Sequence, residues 1–155
     1  MQAQEFYKTR GDRVVPIYFI SQIQWEEGIE NLTSVERNYF SIRQFKGKLG
    51  DYCFILNADG VIEKAYIGSG TGNQESALAN AALSLPPGNY QLQEKLALQV
   101  AVSWGLAQYR FDKYKKYELQ PRILIVGTNE IDHILNLTNS LFLVRDLINK
   151  PSCDM

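Results

Sequence analysis

The chain has one histidine and two cysteines among its 155 residues, and that scarcity excludes several kinds of chemistry. A histidine-rich metal centre needs more than His133, and any cysteine or serine nucleophile would have that single imidazole as its base. Cys53 and Cys153 show neither a CxxC spacing nor a disulfide framework, so both are expected as reduced thiols. Cys53 stands in an apolar run, where a thiol behaves as a small buried hydrophobe. The acidic residues are scattered, with Glu26 and Glu27 on the surface of a predicted helix, and no carboxylate pair or metal cluster emerges. No apolar run approaches the ~18 residues of a membrane span. The polar start MQAQEFYKTRGDR lacks the apolar stretch of a signal peptide, so a cytoplasmic location is expected. Sixteen basic and seventeen acidic side chains leave a net charge of -1, which gives no overall attraction to nucleic acid or an anionic membrane.

What the chain does have is apolar residues, 45% of the total, in patterns that specify elements. VVPIYFI, residues 14–20, reads as a strand covered on both faces. Ser21 is placed to cap a helix that follows it. A second short helix is expected over 33–45, with Val35, Tyr39 and Ile42 on one side. Two β-rich runs, 52–56 and 61–67, flank Asp59-Gly60, a tight-turn signal, and form a β-hairpin. Ala77, Leu78, Ala81, Ala82 and Leu85 mark one face of a helix that PPG at 86–88 ends, and NYQLQ then leads out as a short strand. From Leu96 to Phe111 apolar residues fall on nearly every side, with Gln99, Ser103 and Arg110 in a narrow polar sector, so that helix must be covered all round. RILIVG supplies another buried strand. A last helix from about Glu130 carries Ile134, Leu137, Leu141, Val144 and Ile148 as its expected core-facing stripe. Alternating strands and helices imply an α/β domain whose mixed sheet is flanked by helices.

Two stretches invite a chemical reading. Gly68, Gly70 and Gly72 lie between a strand and a helix, where backbone N–H groups form anion sites. The spacing is GxGxG rather than GxGxxG, no P-loop Lys-Ser/Thr follows, and Thr71 or Asn73 serves equally as an ordinary helix cap. The other stretch interleaves Tyr109, Phe111, Tyr114 and Tyr117 with Arg110, Lys113, Lys115, Lys116 and Arg122, a mixture suited to stacking on bases and contacting phosphates. Asp112 and Glu118 dilute it, and a helix end with snorkelling lysines gives the same string. No residue is assigned a catalytic, cofactor-binding or metal-binding role.

LVRDLINKPSCDM, residues 143–155, resembles the segment joining the two domains of the cytosolic leucyl aminopeptidase family, commonly (A/V)RDLVNTPANDM. Val144, Arg145, Asp146, Leu147, Asn149, Pro151, Asp154 and Met155 match, while Lys150, Ser152 and Cys153 depart. LPPGNYQL at 85–92 is similar to the family's LPPGRYRL, and WGLAQYRFDKYKK at 104–116 to its WALGAYRFTRYKK. The resemblance implies a macro-domain-like N-terminal domain over residues 1–142, with 143–155 as the end of a connecting helix and a hinge to a C-terminal catalytic domain. That domain would remove N-terminal residues from peptides with two divalent metal ions, zinc or manganese, and its NTDAEGR motif does not occur here. The resemblance further implies a hexamer with this domain on the outside, helping to shape assembly and substrate access, and an inactive fragment when alone. A freestanding macro-like module binding a nucleotide or ADP-ribose at 68–72 is the alternative. Residues 151–155 are expected to be mobile or held only by packing contacts, and the last two turns of the final helix to exchange amide hydrogens fastest of any helix.

Overall fold

The structure, a computed structural model, describes residues 1–110 and 120–150. A 3-10 turn at Ala3–Glu5 opens it. The elements that follow are β1 (Tyr7–Lys8), β2 (Val15–Ser21), α1 (Gln22–Glu27), α2 (Ser34–Arg43), β3 (Tyr52–Leu56) and β4 (Ile62–Gly70). The second half contributes α3 (Gln74–Ser84), β5 (Gly88–Leu92), α4 (Leu98–Gln108), β6 (Arg122–Ile125) and α5 (Ile131–Asn149). The six strands form one mixed sheet in the order β1-β6-β5-β2-β4-β3. All neighbours run parallel except β3 and β4, the hairpin that the Asp59-Gly60 signal specifies. Gly60 takes φ +77°, and the Asn57 side-chain oxygen accepts from the N–H groups of Asp59 and Val61, so the turn is built as much by Asn57 as by the glycine.

Alternation along the strands divides the interior in two. Ile17, Phe19, Ala65 and Ile67 face one side, where α3, α4 and α5 cover them with Leu78, Ala82, Trp104 and Phe142. Ile20, Cys53, Ile55 and Tyr66 face the other, beneath Phe40 of α2 and Phe45 of the loop after it. The result is a three-layer α/β domain.

Helix starts follow local chemistry. Ser21 Oγ accepts from the Gln24 N–H while Gln24 Oε1 accepts from the Ser21 N–H, a reciprocal capping pair. Thr33 caps α2 and Asn73 caps α3. The strand at Tyr7–Lys8 is absent from the expectations, because two residues inside a polar string carry no periodicity. It forms because Ala3, Phe6 and Tyr7 are buried and Lys8 pairs with Ile125.

Two helices turn a different face inward from the one their apolar spacing suggests. On α2, Val35 and Ile42 are exposed, and Glu36 and Phe40 are buried instead. Glu36 can be buried because Lys64 Nζ stands 2.6 Å from its carboxylate, and a paired charge costs far less to bury than a lone one. On α5 the inward face is Ile134, Thr138 and Phe142, while Leu137, Val144 and Ile148 of the expected stripe point outward. Thr138 meets Gly105 of α4 on this face. Its methyl lies 3.1 Å from where a Cβ on Gly105 would stand, so a small residue meets a glycine and α4 and α5 approach closely. The all-round apolar helix α4 is covered by α3 and α5 as its pattern requires, although it begins at Leu98 rather than Leu96.

Candidate functional site

The stretches that carry the family resemblance meet in space through hydrogen bonds centred on Arg122, at the start of β6. The Arg122 carbonyl accepts from Trp104 Nε1 at 2.8 Å and from the Gln108 side-chain amide at 2.9 Å, and the Arg122 N–H donates to Gln108 Oε1 at 3.0 Å. Arg122 Nε donates to the Leu85 carbonyl at 2.7 Å, satisfying a backbone oxygen left unpaired where α3 ends. Tyr90, inside LPPGNYQL, donates its hydroxyl to the Pro86 carbonyl at 2.6 Å and packs against Trp104 with ring centroids 5.9 Å apart. Burial pushes the Tyr90 hydroxyl up to about 12. Gln108 is a buried polar residue that the all-apolar reading of α4 did not single out. Its amide is satisfied on both sides by Arg122, as burial demands.

Arg145 and Asp146, both on α5, form a second set of contacts. Tyr109 donates its hydroxyl to Asp146 at 2.7 Å and accepts from the Asn149 amide at 3.2 Å. Arg145 donates to the Leu106 carbonyl at 3.1 Å, with its guanidinium 5.6 Å from the centre of the Tyr109 ring. Residues of α5 therefore hold the C-terminal end of α4. Among the described residues the matching motifs form a structural seam between helices and sheet, and they gather no nucleophile, base or metal ligand.

Of the two readings of the glycine run, the structural one is favoured over the anion cradle by its backbone hydrogen bonds. Gly68 and Gly70 belong to β4, and their N–H groups donate to the Asp51 and Gly47 carbonyls, both at 2.8 Å. The Gly72 and Asn73 N–H groups both donate to the Ser69 carbonyl. A Cβ on Gly68 would collide with the Lys48 carbonyl oxygen, so glycine is required there for backbone to lie against backbone. With these N–H groups bonded within the protein, the freestanding nucleotide-binding alternative is not favoured.

His133 is exposed on the first turn of α5, beside a cavity of about 170 Å³ lined by Leu96, Leu98, Ala101, Glu130 and Ile134. Cys53 is fully buried in the opposite layer, and burial pushes its thiol up to about 11, away from the reactive thiolate. The two are not brought together. Glu26 and Glu27 lie exposed at the end of α1. Among the described residues no group of three or more His, Cys, Asp or Glu side chains converges as a metal site requires. Phe111, Asp112, Lys113, Tyr114, Lys115, Lys116, Tyr117 and Glu118 of the aromatic and basic stretch lie outside the described residues, as do Pro151 to Met155. Its two ends, Tyr109 and Arg122, are engaged within the protein.

A family model described as M17 aminopeptidase, N-terminal domain, matches residues 15–125. No curated protein sequence matches the chain. Among solved structures, the cytosol aminopeptidase from Coxiella burnetii superposes with a TM-score of 0.84 at 22% identity, covering 96% of this chain and 34% of that one. The bottromycin maturation enzyme BotP in complex with Mn gives 0.63 at 21% identity, with 91% and 32% covered. A mutant of tomato leucine aminopeptidase gives 0.57 at 14%, with 97% and 39% covered. At these identities the superpositions establish the fold, and the chain spans about a third of the length of the first of these structures. The family model spans well over half of the chain and the superposed structures share its fold, so the chain belongs to the M17 aminopeptidase family as its N-terminal domain.

Proposed function

We propose that the chain is the non-catalytic domain of an aminopeptidase whose chemistry, removal of N-terminal residues from peptides, is performed by a C-terminal domain with two divalent metal ions, zinc or manganese. The match of the family model to residues 15–125 carries this reading. Metal dependence draws support from BotP, a neighbour described in complex with Mn. Two such ions would act as Lewis acids and generate a hydroxide nucleophile. The described residues of this chain do not fit such a centre, since their His, Cys, Asp and Glu side chains do not converge, and no step of hydrolysis is assigned to them.

In this reading the domain body spans residues 1–142, and 143–155 form the connection to the catalytic domain. Leu143, Val144, Leu147 and Ile148 are exposed at the end of α5 and supply an apolar strip for the catalytic domain to cover. The seam from Tyr109 to Asp146 and Asn149 would then set the direction in which the chain leaves this domain. A hexamer with this domain outermost, influencing assembly and access of peptides, completes the proposal. A cytosolic setting is supported by the neighbour described as a cytosol aminopeptidase, and no helix among the described residues is long and apolar enough to cross a membrane.

The test is hydrolysis of a leucyl-anilide by the 155-residue chain alone and by the chain joined to a catalytic domain of the family, with Zn²⁺ or Mn²⁺ supplied. Turnover is expected only from the joined protein, and L147E/I148E is expected to weaken its assembly. Stoichiometric metal uptake with turnover by the chain alone would overturn the assignment, and a joined protein indifferent to L147E/I148E would overturn the docking role of α5.

A further inference from the structure

A cleft of about 770 Å³ opens between α1, α2 and the loop that follows α2, and no seam residue lines it. Its floor is the half-buried Trp25, whose ring centroid lies 5.2 Å from that of Phe40 and 5.5 Å from that of Phe45. Its walls carry Arg37, Gln44, Lys46, Lys48 and Asp51. Among the described lining residues Asp51 is the one acid; its carboxylate accepts from the Lys46 N–H at 2.9 Å and the Lys48 N–H at 3.2 Å and keeps its charge, so the three cations outnumber it. Those bonds, with the Gly70 N–H held on the Gly47 carbonyl, fix the loop from which both lysines project.

The cations differ from their neighbours in having nothing to pair with. Arg43 lies over the Tyr52 ring at 4.2 Å and donates to the Tyr52 carbonyl, and Lys64 is paired with Glu36. Among the described residues, the side chains of Arg37, Lys46 and Lys48 have no ion-pair or hydrogen-bond partner. In a chain with net charge -1, three unpaired cations around one concave surface form a local positive field.

We infer that this cleft binds an acidic peptide segment, with two or more Asp or Glu side chains on Arg37, Lys46 and Lys48 and an adjacent apolar side chain on the Trp25 ring. The inference goes beyond the aminopeptidase reading and does not depend on it. Charge complementarity selects an anion, the guanidinium fork suits a carboxylate, and the volume lies in the range of ligand clefts. A single-stranded nucleic acid would need successive exposed rings for its bases. Phe40 and Phe45 are 1% and 2% exposed, which leaves Trp25 as the one ring of this cluster open to a ligand.

Intrinsic fluorescence tests this on the chain as it stands. The other tryptophan, Trp104, is fully buried and bonded to Arg122, so a change in emission on adding ligand reports Trp25. The probes are a short blocked peptide alternating glutamate and leucine, the same peptide with lysine for glutamate, and an oligothymidylate of equal charge. A saturable emission change is expected with the acidic peptide, absent in W25F and weakened by added salt. The exposed pair in K46Q/K48Q leaves the fold intact by circular dichroism and weakens binding about fivefold, as the loss of two exposed ion pairs implies. No saturable change, unaltered affinity in K46Q/K48Q, equal binding of the lysine peptide, or tighter binding of the oligothymidylate would each overturn the inference.

Discussion

Replacing Gly68 by alanine distinguishes a glycine run that packs from one that binds. The added Cβ would overlap the Lys48 carbonyl oxygen and lie 2.9 Å from the Gly47 carbonyl carbon, and both obstacles are backbone rather than a flexible side chain. Relief requires the 47–51 loop to move away from β4. That movement lengthens the bonds from Gly68 N–H to Asp51 and from Gly70 N–H to Gly47, each 2.8 Å in the native protein. Overpacking costs about 1–3 kcal/mol and each weakened hydrogen bond about 1 kcal/mol. Alanine recovers about 0.4–1 kcal/mol by restricting the unfolded chain. The net expectation is a loss of roughly 2–4 kcal/mol, which for a chain of this length lowers Tm by roughly 4–16 °C. Guanidinium titration of G68A should show a lower midpoint with an unchanged slope. A G68A variant within about 0.5 kcal/mol of the native protein would refute the packing argument and return the glycine run to consideration as a ligand loop.

The seam and the buried tyrosines lead to further expectations. Y109F removes the hydroxyl that Asp146 and Asn149 share, so it should cost about 1 kcal/mol and speed amide exchange over the last two turns of α5 without affecting α3. Those turns should exchange more slowly in the native protein than an exposed helix end suggests, and exchange as fast in native as in Y109F would count against the seam. Tyr7 and Tyr90 are both held above their ordinary value of 10 by burial, so the unfolded chain loses those protons first. Their contribution to stability is intact below pH 10 and is lost as pH rises, for Tyr90 up to about 12. Y90F should therefore flatten the alkaline fall in stability measured by urea unfolding at stepped pH, and an unchanged slope would contradict the burial-driven shift.

Local sequence determined much of this domain. The Asn57 to Gly60 turn, the Ser21 capping pair, the alanine-rich face of α3 and its end at PPG are each decided by residues within a few positions of one another, and these are legible without a fold. Tertiary structure decided which way α2 and α5 face. Each helix carries apolar residues on more than one side, and periodicity does not say which side meets the sheet. On α2 the choice went to Glu36 because Lys64, on β4, neutralises it. On α5 Thr138 took the inward face, where Gly105 leaves room for it. The glycine run showed the same limit, since its need for glycine comes from the carbonyl of Lys48, twenty residues earlier, and not from its own neighbours. The family motifs were recognisable as strings before they had a physical meaning. That meaning came from hydrogen bonds between Leu85, Trp104, Gln108 and Arg122, and between Tyr109 and Asp146, because only the folded chain brings these partners within reach.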